Sequence, residues 1–242
     1  MGIWILSFGL VLAMIRRINM SKYKAVLFDY DGTVANSNQI IVDSWQYMAS
    51  KLIGAPLTHD EIVKTFGLVL REAMYNCAVA HNLPTDDASI DNMMYTYRSY
   101  QFEQLGNCGY PEFPGMVKLI KDLYAAGIKL GIVTSRGSDT LVPNLEYLGV
   151  RECFDYLVTC DTTDIHKPNP EPALLCCKGL GVEPKDAIMI GDSRFDIACG
   201  NNAGCDSCFV SWSFSNTRAD IEAFSPATYY IDKAEEFLDI VL

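Results

Sequence analysis

The sequence predicts an α/β fold: a doubly wound, Rossmann-like parallel sheet with an inserted all-α cap domain. Three observations predict it. Short apolar runs of strand length, such as Ala25–Phe28, Lys129–Val133 and Ala187–Ile190, each stop at a polar or glycine-containing turn. From about residue 111 onward such runs alternate with helical patterns, the rhythm of βα units joined by right-handed crossovers. Between about 37 and 110 the pattern is helical throughout, so a helical block interrupts the core after its first strand. An insertion at a strand's carboxyl end sits over the crevice where open α/β sheets bind ligands, which is where a lid belongs. The division is therefore a core of residues 20–36 and 111–242, a cap of 37–110, and an apolar leader of 1–19.

Each element has its own signal. The first strand ends in Asp29-Tyr30-Asp31-Gly32-Thr33, and Ala35-Asn36-Ser37-Asn38 supplies turn and N-cap chemistry. Ile40, Ile41, Trp45, Met48 and Leu52 then recur at helical spacing until Gly54 and Pro56. Thr58 followed by Glu61 is a capping box. Helical patterns cover about 69–81 and 87–105, and the Gly- and Pro-rich stretch from Gly106 to Pro114 marks a boundary. Pro114 opens a helix carrying Val117, Ile120 and Leu123, which Gly127 closes. After the strand at 129–133 comes a helix near 140–148, beginning no earlier than Thr140 because Pro143 suits only a first turn. A strand near 156–159, helix 171–180, strand 187–190, helix 194–203, strand 207–210 and a strand–helix pair near 228–240 complete the alternation.

Composition narrows the function. The chain is 50% hydrophobic and 20% charged, a globular balance, and its net charge of −11 argues against a nucleic-acid footprint. An acidic surface gives no general attraction for anions, so any phosphate must be held by a local cluster of donors. Nine cysteines without regular spacing indicate free thiols in a reducing, cytoplasmic setting. The Cys176–Cys177 pair and the Cys205-Asp-Ser-Cys208 run read as buried packing residues, and His59, His81 and His166 form no ligand set. Gly2–Ile15 is mostly apolar and is followed by Arg16 and Arg17. It is too short for a comfortable span and its charges lie on the wrong side for a secretory signal. The expectation is a non-native leader with Met20 as the true start, against a membrane-proximal anchor or a partner-contacting helix.

Chemistry concentrates at four strand ends: Asp29-x-Asp31-Gly32-Thr33, Thr134-Ser135, Lys167-Pro168, and Gly191-Asp192-Ser193-Arg194-Phe195-Asp196. Two acids beside a glycine that lets backbone N–H groups point outward suit a metal and a phosphate. Singly, each cluster is more often a helix cap than a catalyst. Together and in this order they resemble the haloacid dehalogenase superfamily, in particular its phosphatases with a helical cap after the first motif.

The resemblance implies Mg²⁺-dependent hydrolysis of a small phosphorylated metabolite through an aspartyl-phosphate. Asp29 is the implied nucleophile and Asp31 the implied general acid and base, a role that needs a carboxyl able to hold a proton while its neighbour stays ionised. Thr33 is implied to position Asp31. The implied metal site comprises the carboxylates of Asp29 and Asp192 with the backbone carbonyl of Asp31, supported by Asp196. Thr134 and Lys167 are the implied clamps on the transferring group, with a backbone donor from Ser135. Asn169 and Arg136 are read as structural or rim residues. In the cap, Thr65–Glu72 resembles the specificity loop of phosphoglycolate phosphatase-like and pyrophosphatase-like members. There Gly67, like Gly32 in the core, permits close backbone approach to substrate, and Arg71 is placed to meet a second anionic group.

Other readings stay open. Pyrophosphate and nucleotides are alternative substrates, and a mutase of the β-phosphoglucomutase type shares all four motifs. That pattern, however, places a His where this chain has Ile41. A dehalogenase lacks the second acid of the first motif, so Asp31 favours phosphoryl chemistry. A non-catalytic phosphate-binding module is the remaining alternative. Capped members of the superfamily work as monomers or homodimers, and nothing in the described pattern calls for a membrane.

Overall fold

A computed structural model describes residues 21–105 and 109–242. The expectations for the leader and for Gly106–Cys108 lie outside the described residues. Six parallel strands form one sheet: β1 (Ala25–Phe28), β2 (Lys129–Val133), β3 (Tyr156–Val158), β4 (Ala187–Gly191), β5 (Asp206–Val210) and β6 (Tyr229–Ile231). Their order is β3-β2-β1-β4-β5-β6. The chain thus builds outward on one side of β1 and then crosses to the other. The topological switch point lies between β1 and β4, where such sheets open a ligand crevice.

Alternation along β1 divides the core into two layers. Val26 and Phe28 face one cluster, packed beneath α5 (Met116–Ala125) and α10 (Ala234–Val241). Ala25 and Leu27 face the other, under α7 (Glu171–Leu180) and α8 (Arg194–Ala203). Burial on both sides is why β1 reads as a continuous apolar run rather than an alternating one.

The helical block contains α1 (Asn38–Leu52), α2 (His59–Val63), α3 (Leu70–Ala80) and α4 (Asp87–Leu105). It has a core of its own, with Trp45, Met48, Met74, Ile90 and Met93 buried together and Trp45 edge-on to Tyr97 at 5.6 Å. The Thr58–Glu61 capping box is formed. The block leaves and rejoins the sheet through adjacent segments: Phe113 N–H donates to the Val34 carbonyl at 2.9 Å, and Asn36 N–H donates to the Pro111 carbonyl at 2.8 Å.

Three local expectations are corrected. α6 spans Ser138–Tyr147, so Pro143 lies beyond the first turn. Pro143 is exposed, so the helix forgoes one hydrogen bond on its solvent side, where water can satisfy the carbonyl. Helix α5 starts at Met116 behind a left-handed Gly115, not at Pro114. An additional helix, α9 (Arg218–Phe224), is set by a capping box of Thr217 and Asp220.

Candidate active site

Four strand ends deliver the predicted residues to one cavity of about 280 Å³. Asp29 follows β1, Thr134 follows β2, Lys167 follows β3, and Asp192 follows β4. All four line that cavity and are buried. The roof comes from the helical block and is largely apolar, with Ile41, Trp45, Leu70 and Met94.

Lys167 organises the floor. Its ammonium donates to Asp29 Oδ1 at 2.7 Å, to Asp196 Oδ1 at 2.5 Å and to the Val133 carbonyl at 3.2 Å, using all three of its hydrogens. Burial alone would discharge this amine, but the two carboxylates outweigh it and raise its pKa. Asp196 also accepts from the Ser193 N–H and hydroxyl, at 2.9 and 2.6 Å, closing a capping box at the start of α8.

Asp29, Asp192 and Asp196 each offer a carboxylate oxygen within 4.8 Å of the others. Burial first, and then mutual repulsion, raise Asp29 well above the usual carboxylate range and push Asp192 up to about 7. A buried cluster of hard oxygen donors with excess negative charge fits a hard divalent cation such as Mg²⁺. The side chain of Asp31 is not part of this cluster, so any role for Asp31 toward a metal falls to its backbone carbonyl.

Asp31 is instead gripped by Arg136, whose Nε and Nη2 donate at 2.8 and 2.5 Å, and by the Ser37 hydroxyl at 2.6 Å. Burial works to raise the Asp31 pKa, but the Arg136 charge and these hydrogen bonds prevail and hold it below its usual value. Asp29 is thus the raised carboxyl and Asp31 the lowered one, before any cation's charge is added to the cluster.

Several assignments change with this geometry. Arg136 is not a rim residue: its side chain is 9% exposed and its guanidinium lies 4.5 Å from the Tyr110 ring centre. Ser37 occupies the N-cap of α1, yet its hydroxyl serves Asp31 rather than the helix. Thr33 Oγ1 lies 3.4 Å from both Asp29 and Asp192 and makes no hydrogen bond to Asp31. Gly32, at φ +83°, turns its N–H inward to the Ala35 carbonyl, and a Cβ there would stand 2.2 Å from Asp192 Oδ2. Its bareness makes room for Asp192. Ser135 reaches across to the helical block, donating to the Gly67 carbonyl at 2.7 Å. Arg71 lines the cavity, but its guanidinium pairs with Asp87 and Asp91.

One supporting residue escaped sequence reasoning. Ser215 donates to Asp192 Oδ2 at 2.6 Å from the loop after β5. The serine-rich run Ser211-Trp-Ser-Phe-Ser215, lying just beyond a strand's carboxyl end, was the available signal.

The Cys205–Cys208 run is packing, as read from sequence. Both thiols are buried, and Cys205 lies 3.9 Å from Cys177 rather than against Cys208.

A parallel sheet with carboxylates, a lysine and a hydroxyl converging at its switch point defines a hydrolase of the haloacid dehalogenase-like class. The family model described as "Haloacid dehalogenase-like hydrolase" matches residues 26–210, and the chain belongs to that family. A Clostridium perfringens protein named "Putative pyrophosphatase PpaX" is 34% identical over 220 residues, covering 90% of this chain and 97% of its own. The fold matches a solved structure described as a predicted phosphoglycolate phosphatase from Haemophilus somnus, with TM-score 0.77, 22% identity, and coverage of 91% of this chain and 99% of that one. It also matches a β-phosphoglucomutase from Clostridium difficile, with TM-score 0.76, 21% identity, and coverage of 90% and 96%.

Proposed function

We propose that this chain is a Mg²⁺-dependent phosphatase that hydrolyses a small phosphorylated metabolite through an aspartyl-phosphate. The observation that carries the reading is the placement of Asp29. Its carboxylate ends β1 on the floor of the cavity, beside the Lys167 ammonium at 2.7 Å and within the acidic cluster.

In this reading an Asp29 oxygen attacks phosphorus while the bond to the leaving oxygen breaks. Asp31 gives that oxygen a proton, then takes one from the water that later splits the Asp29–phosphorus ester. Thr134 holds the transferring oxygens together with Lys167, which turns to them the hydrogen it now gives the Val133 carbonyl at 3.2 Å; charge spreads over these oxygens in phosphoryl transfer. Asp29, the Asp31 carbonyl and Asp192 would hold Mg²⁺, with Asp196 in support; bound there, the ion offsets repulsion between an anionic nucleophile and an anionic phosphate. The helical block acts as the cap, shielding this chemistry from bulk water.

A second reading, pyrophosphatase, draws support from the name of the Clostridium perfringens relative. The mutase reading has less support, since the roof position in question is the apolar Ile41. Eight described cysteines, all unpaired, agree with a cytoplasmic setting. Among the described residues no helix is long and apolar enough to cross a membrane.

The test is Mg²⁺-dependent phosphate release from p-nitrophenyl phosphate, 2-phosphoglycolate and pyrophosphate, with Asp29→Asn as control. Release by the native protein and its loss in the control support the reading. Release no greater than the control on every substrate would overturn it.

A further inference from the structure

We infer that Arg136 is the residue that selects the leaving group, and that the substrates are phosphoric esters or anhydrides whose leaving group carries its own anion. The inference rests on the phosphatase reading above and extends it from the reaction to the substrate class.

Four observations converge. Arg136 and Lys167 are the two cations held inside the cavity among its described lining residues, with side chains 9% and 2% exposed. Lys167 is committed to the nucleophile side, donating to Asp29 and Asp196. Arg71 and Arg98 also line the cavity, but they are 47% and 43% exposed and pair with Asp87, Asp91 and Asp139. Apart from those two paired arginines, the roof residues that line the cavity carry no charge. A second negative charge on a bound substrate is therefore met at Arg136.

Arg136 is also placed for an exchange of partners. Its Nε and Nη2 form a fork on the two oxygens of Asp31, the geometry that suits any planar or tetrahedral oxyanion. Its guanidinium carbon lies 4.5 Å from the Tyr110 ring centre and 5.8 Å from that of Tyr30, so aromatic faces stabilise its charge while the partners of the fork change. A leaving oxygen that approaches Asp31 comes within one hydrogen-bond length of the same pair. An anionic group two or three bonds beyond that oxygen then lies within reach of the fork. It draws Arg136 toward itself and leaves an Asp31 oxygen for the leaving group. A neutral leaving group offers no such replacement, and Asp31 stays gripped.

The test compares substrates of one shape and different charge: 2-phosphoglycolate and its neutral amide, with native protein, Arg136→Gln and Arg136→Lys. The native protein is expected to favour the carboxylate in kcat/KM by at least tenfold. In R136Q the carboxylate substrate is expected to lose about 100-fold, the scale of a lost charge-assisted pair, mostly through KM. The amide is expected to lose about fivefold, and R136K should recover part of the preference. Circular dichroism and thermal melting identify a misfolded R136Q, in which case R136K alone decides: a narrowed carboxylate preference with raised KM supports the inference, and an unaltered preference overturns it. Equal losses on both substrates in R136Q would show a structural role only and overturn the inference. So would a carboxylate preference narrowed by Arg71→Ala and untouched in the Arg136 variants. Native hydrolysis of both substrates with no charge preference overturns the inference and leaves the phosphatase reading standing. Native hydrolysis of neither substrate, nor of p-nitrophenyl phosphate or pyrophosphate, overturns both.

Discussion

The hydroxyl of Ser135 donates to the carbonyl of Gly67 across 2.7 Å, tying the end of the second strand to the helical block above it. Gly67 sits at φ +83°, and a Cβ there would lie 2.9 Å from the Phe195 ring and 3.1 Å from Ser193 Oγ. Close approach of the two halves thus depends on a bare backbone at this point.

Gly67→Ala is expected to hold the block away from the floor. The change should lower kcat/KM about 10- to 100-fold and cost about 1–2 kcal/mol of stability through the positive φ. Steady-state kinetics and small-angle scattering, which reports a larger radius of gyration for an opened cap, check it together.

Gly32→Ala tests the acidic cluster from the other side. Its Cβ would stand 2.2 Å from Asp192 Oδ2, so the carboxylate must move. The Mg²⁺ concentration giving half-maximal activity is expected to rise about tenfold or more, the usual scale for displaced support of a ligand. Calorimetric titration with Mg²⁺ gives an independent measure.

Lys167→Met removes the one cation between two buried carboxylates, Asp29 and Asp196. Stranding such charges is expected to cost about 3–5 kcal/mol in urea unfolding measured in EDTA. Adding Asp196→Asn should return part of that loss, because one of the stranded charges goes with it.

Asp161 provides the pH test. Its carboxylate accepts from the Ser138 N–H at 2.7 Å, at the start of α6, and chiefly for that reason its pKa lies below the usual aspartate value. A depressed folded-state pKa contributes stability above the unfolded value of about 3.9, and the contribution vanishes as pH falls through the folded value. Asp161→Ala is therefore expected to be less stable by about 1 kcal/mol at pH 7, the scale of a lost helix-terminal acceptor. Denaturant titrations from pH 7 to pH 3 should show the gap between the two proteins closing on the acid side.

The sheet was legible because each strand carries its own signature, and because Asp29, Thr134, Lys167 and Asp192 all follow strand ends by one residue or a short loop. Partnerships made across the fold were not. The grip of Arg136 on Asp31 spans 105 residues of sequence, and that of Ser215 on Asp192 spans 23. Nothing local distinguishes such an arginine from a solvated one. Ser37 misled for the opposite reason: a serine before a helix has a strong local use, and here tertiary demand overrides it. Thr33 shows the same limit, since its neighbours across the switch point are decided by β4.

The two crossings between sheet and helical block lie side by side, bound to each other at Asn36–Pro111 and Val34–Phe113. Excising everything between them leaves ends that a short turn can rejoin and keeps the strand order, but it takes away Ser37 and Tyr110, the block's two contributions to the Asp31–Arg136 pair. The insertion is in that sense a transplantable part. Exchanging it would change what stands over the floor, while Asp29, Thr134, Lys167 and Asp192 keep their strand ends.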